Sequence, residues 1–132
     1  MSVTKYCFPD DLENAKYCVF PSELEGDELV FFHGTLAKNL HSILEDGFRI
    51  PATNDDTGLA SVSFAKNSNT ALNHVCTKRK SEPGTYCILA VRYECLKHDH
   101  LKVNNSDIHD YSLDPPPSVI GYCMVPSTYQ HF

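Results

Sequence analysis

Phe31-Phe32-His33-Gly34-Thr35 is the stretch on which the reading of this chain turns. Residues 29–33 are aromatic or branched up to the histidine, the pattern of a short strand. Thr35 is then placed to cap a helix in which Leu36, Leu40, Ile43 and Leu44 fall at helical spacing. Gly47 ends that helix, and Phe48 just beyond it can pack back on the last turn. The pattern leaves His33 at a strand end with a glycine beside it. A histidine so placed can donate to a hydroxyl while its second ring nitrogen is held by the backbone. The glycine lets a flat ring approach the main chain, whose N–H and C=O can pair with a carboxamide. On these residues alone a plainer reading stays open, with His33 a satisfied strand-end histidine and Gly34-Thr35 a turn and helix cap.

Outward from this stretch, residues 51–58 form a polar loop and residues 60–65 read as a second strand. Asn67 or Ser68 can cap the next helix, whose apolar face is Ala71, Leu72, Val75 and Cys76. Lys78, Arg79 and Lys80 sit at its C-terminal end, where the helix dipole favours cations. Residues 86–96 are nearly continuous in apolar side chains and predict a central strand. A polar segment, 97–114, is broken off by Pro115-Pro116-Pro117, and a late strand is expected at 119–125, with a last edge at 129–132. Residues 1–28 read as an irregular lead-in and 29–132 as the domain. The sum is an α+β fold dominated by strands.

The length of 132 residues suits one domain, and 42% apolar against 21% charged residues is an ordinary globular balance. A formal net charge of −6 disfavours nucleic acid as a partner, because phosphate tracking needs clustered Lys and Arg. No stretch reaches the ~20 apolar residues of a membrane helix, and residues 1–13 lack the order of a signal peptide. The expectation is an intracellular protein, cytoplasmic or nuclear. On that reading the six cysteines are reduced thiols rather than a disulfide framework, and with no CxxC pair a structural zinc site is not expected. In Lys97-His98-Asp99-His100 two histidines two apart would share a strand face, but with no third ligand at useful spacing the segment reads as a polar strand exit.

The order of the elements, with the residues they carry, resembles the poly(ADP-ribose) polymerase-like ADP-ribosyltransferases. In that family a strand ends in an aromatic-His-Gly-Thr segment, and the next helix closes on a pattern like Leu44-Glu45-Asp46-Gly47-Phe48. Val62-Ser63-Phe64-Ala65, ahead of a helix with Asn73-His74, resembles the family's second signature. Residues 86–95 look like its long central strand, and Tyr122-Cys123-Met124-Val125 through Gln130 like its last strand and trailing glutamine. The likeness spans roughly residues 29–132, and His-Gly-Thr is its specific part. It implies an ADP-ribosyltransferase-like fold of two packed small mixed or antiparallel sheets with two or three short helices. It also implies NAD as substrate, no metal, and a monomer acting on a protein acceptor.

Carried over residue by residue, the resemblance gives His33 and Gly34 the nicotinamide-ribose half of NAD, with Phe32, Thr35 and Phe64 beside them in the pocket. Ser63 stands where the family has a stacking tyrosine, which a serine cannot replace. His74 falls near a second stacking aromatic, and Thr70 at a hydroxyl that bonds the carboxamide. Tyr122, or Val119 in a shifted register, occupies the place of the catalytic glutamate, and no acid lies between Pro115 and Phe132. Chain elongation by the usual mechanism is therefore not expected. Asp107, Asp110 and Asp114 in the preceding loop could approach the site, but they read more readily as a solvated acidic stretch. The implied function is mono-ADP-ribosyl transfer, a glycosyl transfer from NAD with His33 and Tyr122 at the catalytic positions. The alternative is an inactive module that binds NAD, ADP-ribose or a protein partner. An RNA 2′-phosphotransferase-like activity is disfavoured by the presence of only three arginines, Arg49, Arg79 and Arg92.

Overall fold

The computed structural model describes residues 3–9, 18–50, 61–78 and 85–126. In chain order the elements are β1 (Thr4–Tyr6), α1 (Ser22–Glu25), β2 (Val30–Leu36), a 3-10 turn (Ala37–Asn39), α2 (Leu40–Asp46), β3 (Val62–Ala65) and α3 (Ser68–Lys78). After them come β4 (Tyr86–Arg92), β5 (Leu101–Val103), β6 (Asp107–Asp110) and β7 (Ser118–Met124). Among the described residues the fold is α+β, with one seven-stranded sheet in the order β1-β7-β4-β2-β3-β6-β5. The sheet is mixed, since β1 runs parallel to β7 while the other neighbours are antiparallel. The expectation of two packed sheets is corrected to one. Its seam is narrow, because β2 and β3 share the single registered pair Phe32↔Ala65. By contrast β2 and β4 are paired along all seven residues of each strand, from Val30↔Arg92 to Leu36↔Tyr86.

Consecutive strand residues face opposite sides of a sheet, and both sides are covered here. Phe32, Val30, Ile88, Ala90 and Cys123 pack on one face against Ala71, Leu72 and Val75 of α3 and against Val19 and Phe20. Phe31, Phe64, Val91, Ile108 and Tyr93 build the other face, with Phe48 and Ile50 packed on it. Burial on both faces explains the unbroken apolar run of β4, in which Cys87 to Val91 are inaccessible to solvent. Burial also pushes the Cys87 and Cys123 thiols up to about 12, so both behave as small neutral core groups.

Several boundaries differ from the pattern-based reading. β2 continues three residues past His33, so Thr35 is a buried strand residue rather than a helix cap. Its hydroxyl accepts from Asn39 Nδ2 at 3.0 Å, and α2 begins only after the 3-10 turn. Gly47 does end α2, at φ 81°, a conformation that suits glycine. β4 stops at Arg92 instead of running to residue 96. The segment expected to be polar loop, 97–114, contains β5 and β6. The lead-in supplies β1, an edge strand, and α1. Arg79, Lys80, Gln130, the loop at 51–58 and the edge at 129–132 lie outside the described residues.

The start of α3 is built from two segments distant in sequence. Asn67 Oδ1 accepts from the Thr70 amide at 2.9 Å, so of the two candidates, Ser68 and Asn67, it is Asn67 that caps the helix. Glu25 accepts from the Ser68 amide and the Phe20 amide, each at 3.1 Å, and from the Ser68 hydroxyl. Ser68 Oγ in turn accepts from the Val19 amide at 2.8 Å. Glu25→Ala removes the acceptor for three donors and is expected to cost about 1–2 kcal/mol. Equilibrium denaturant unfolding of the two proteins checks this. A change in midpoint with an unchanged slope is the expected form.

Candidate functional site

Past the Phe32↔Ala65 pair, β2 and β3 diverge, and a cleft of about 380 Å³ opens between them. Phe32, His33 and Gly34 line it from β2, Ser63, Phe64 and Ala65 from β3, and Thr70, Ala71, His74 and Val75 from α3. Seven sequence-predicted site residues thus meet in one cavity: Phe32, His33, Gly34, Ser63, Phe64, Thr70 and His74. Thr35 and Tyr122 do not line it. Tyr122 pairs with Leu89, and Leu89 with His33, so Tyr122 stands two strands from the histidine, ~10 Å at ordinary strand spacing.

The backbone explains how the imidazole is held. Lys66 N–H donates to the Ser106 carbonyl at 2.8 Å. The alternation of an antiparallel ladder then turns the Ser63 backbone away from β6 and toward the seam. There the Ser63 carbonyl accepts from His33 Nδ1 at 2.9 Å. A carbonyl partner requires the proton on Nδ1, which leaves Nε2 an acceptor in the neutral ring. The direction is the reverse of the donor role anticipated for that nitrogen. The ring packs edge-on against Phe48, with centroids 5.2 Å apart, and tilted against Phe64 at 5.6 Å. Thr70 donates its hydroxyl to Asn67 Oδ1 at 2.7 Å, so toward a ligand it presents an acceptor.

The far wall comes from β6 and the turn before it, as Ser106, Asp107 and His109. Of the three loop acids that the sequence offered, Asp107 lines the cleft, Asp110 is buried in the fold and Asp114 does not line it; Ser106 and His109 were not foreseen. His109 Nδ1 lies 2.8 Å from Ser63 Oγ and 3.4 Å from Ser61 Oγ. Its Nε2 is 3.3 Å from Asp107 Oδ2. Asp107 Oδ1 accepts from Asn104 Nδ2 at 2.7 Å, and the Asn104 amide donates to the Asp107 carbonyl at 2.8 Å. The signal for this wall was the alternation Asp107-Ile108-His109-Asp110, which puts Asp107 and His109 on one strand face and the buried Ile108 on the other. Among the described residues, no lysine or arginine lines the cleft.

The two histidines of Lys97-His98-Asp99-His100 stack with centroids 5.2 Å apart. His100 Nε2 lies 3.8 Å from Asp110 Oδ1. Among the described residues no group of three or more His, Cys, Asp or Glu side chains is arranged to hold a metal ion. No helix among them is long and apolar enough to cross a membrane. No protein-family model, curated protein or solved structure matches the chain.

Proposed function

We propose that the cleft binds the nicotinamide-ribose half of NAD and that the protein transfers a single ADP-ribose unit to a protein acceptor. The observation that carries this reading is the convergence of His33, Gly34, Ser63, Thr70 and His74 on one cavity at the β2–β3 seam. His33 Nε2 then accepts from a ribose hydroxyl, with the ring oriented by the Ser63 carbonyl. Phe64 and His74 offer ring faces or edges to the nicotinamide. The cavity volume lies at the low end of the range for small-molecule sites. Together with a described lining that holds no lysine or arginine, this keeps the diphosphate and the adenosine outside the cleft.

The carboxylate on the described lining is Asp107, and it is the group that faces a developing ribosyl cation. Its bonds to Asn104 and its approach to His109 make it part of a fixed wall. A second reading, binding without transfer, is favoured by the position of Tyr122 away from the cavity.

Titration calorimetry with NAD and with ADP-ribose, followed by incubation with labelled NAD and a proteome extract, tests both. Binding of NAD is expected, weakened about tenfold by His33→Ala, the effect of one lost hydrogen bond in a partly enclosed site. Label transfer that disappears with His33→Ala supports the enzyme. Binding without transfer leaves the second reading, and no binding of either nucleotide overturns every NAD or ADP-ribose reading and leaves a module for a protein partner.

A further inference from the structure

The wall formed by β3 and β6 carries a second chemistry that does not depend on NAD. Ser63 and His109 are directly paired across the two strands, and Asp107 lies two residues from His109, so the three side chains share one face. The distances run in a chain: Ser63 Oγ to His109 Nδ1 at 2.8 Å, His109 Nε2 to Asp107 Oδ2 at 3.3 Å, and Asn104 Nδ2 to Asp107 Oδ1 at 2.7 Å. An imidazole that accepts from a serine on one nitrogen and faces a carboxylate with the other is the arrangement that activates a hydroxyl nucleophile. It sits on rigid strands, and the serine opens onto a cavity with the apolar walls Phe32, Ala71 and Val75.

From this geometry we infer that Ser63 is a nucleophilic serine of the acyl-transfer class, with His109 as its general base and Asp107 as the residue that orients the imidazole, acting on small carboxylic esters. Ser63 Oγ forms a bond to the ester carbonyl carbon while its proton passes to His109 Nδ1. The carbonyl electron pair moves onto oxygen. The ladder alternation that turns the Ser63 carbonyl to the seam turns its N–H there too, which gives the oxyanion a main-chain donor. Collapse of the adduct breaks the bond to the alcohol oxygen, which leaves with the proton from His109. Water then adds to the acyl-serine, losing a proton to the same nitrogen. The carboxylic acid departs, and Ser63 recovers its proton. The cavity size restricts the acyl group to a short chain.

A fluorophosphonate probe, which serine nucleophiles attack at phosphorus with loss of fluoride, tests this on the full chain in the absence of nucleotide. Its outcome is therefore independent of the NAD reading. Phosphonylation of Ser63, located by peptide mass mapping and absent in Ser63→Ala, is expected. His109→Gln is expected to slow labelling about 100-fold, the usual contribution of a general base. Asp107→Asn is expected to slow it at least tenfold with the melting temperature little changed, because both half-buried side chains lie outside the packed clusters. The assignment is overturned if the folded protein is not labelled or if the label maps to Ser61. It is equally overturned if either His109→Gln or Asp107→Asn, folded by circular dichroism, labels at a rate within tenfold of the parent protein.

Discussion

Asp110→Ala is expected to lower the unfolding free energy by about 3 kcal/mol and the melting temperature by roughly 10 °C. Asp110 is inaccessible to solvent at the end of β6. Its Oδ2 accepts from the Tyr93 hydroxyl at 2.8 Å, and its Oδ1 from the amides of Leu113 at 2.8 Å and Ser112 at 3.1 Å. Burial raises the Tyr93 phenol well above its ordinary range, with the bond to Asp110 adding to it, so the hydroxyl stays a donor. Alanine leaves those donors without an acceptor in a site with little room for water, and each orphan costs about 1–3 kcal/mol. It also removes the carboxylate near His100 Nε2, a buried nitrogen without a hydrogen bond. Asp110→Asn is expected to cost less than half as much. Its amide oxygen can take the Oδ1 position and both backbone donors, while its NH₂ donates to a rotated Tyr93 hydroxyl. Thermal and denaturant unfolding of the three proteins decides the matter. Equal losses for Ala and Asn would mean that charge, not hydrogen bonding, is what the site needs.

Asp110 also shows why the outer strands were hard to read in the sequence. A strand is recognised by alternating apolar and polar residues, but in β6 both inward positions of the alternation are buried and one of them is a carboxylate. Asp-Ile-His-Asp therefore has the composition of a loop. β1 has a similar problem, since Thr4-Lys5-Tyr6 joins the sheet edge through main-chain pairing to Gly121, Tyr122 and Cys123. The inner strands were legible for the opposite reason. β4 is buried on both faces, and the paired aromatics Phe31-Phe32 serve two different cores. The His33 half of the cleft could be foreseen because Phe32, His33 and Gly34 are contiguous in the chain. Of the Asp107–His109 wall only Asp107 could be offered, as a loop acid near the site, because the wall meets Ser63 only through long-range pairing of β3 with β6. Whether β2 and β3 belong to one sheet or two rests on a single registered pair, and no local pattern encodes that.

Gly34 joins the fold to the site, and Gly34→Ala is expected to destabilise the protein by about 2–3 kcal/mol, the upper range for overpacking a core. A Cβ at this position would stand 2.8 Å from the Ala71 carbonyl oxygen and 2.8 Å from Val75 Cβ. Both obstacles belong to α3, and one is backbone, so a rotamer change cannot relieve them. The helix must move off β2. From the sequence this glycine is expected to let a ligand approach the main chain; in the fold its missing side chain is what lets α3 approach β2. The two roles are coupled, because α3 carries Thr70 and His74 into the cleft. Gly34→Ala should therefore weaken any ligand of the cleft as well as the fold. Adding Val75→Ala separates backbone crowding from side-chain crowding. It removes Val75 Cγ1, which would lie 3.0 Å from the new alanine Cβ, but keeps Val75 Cβ and the Ala71 carbonyl. The double variant is therefore expected to remain at least as unstable as Gly34→Ala alone in denaturant unfolding. Recovery of parental stability would show that only the valine methyl stood in the way and that the helix backbone had space to spare.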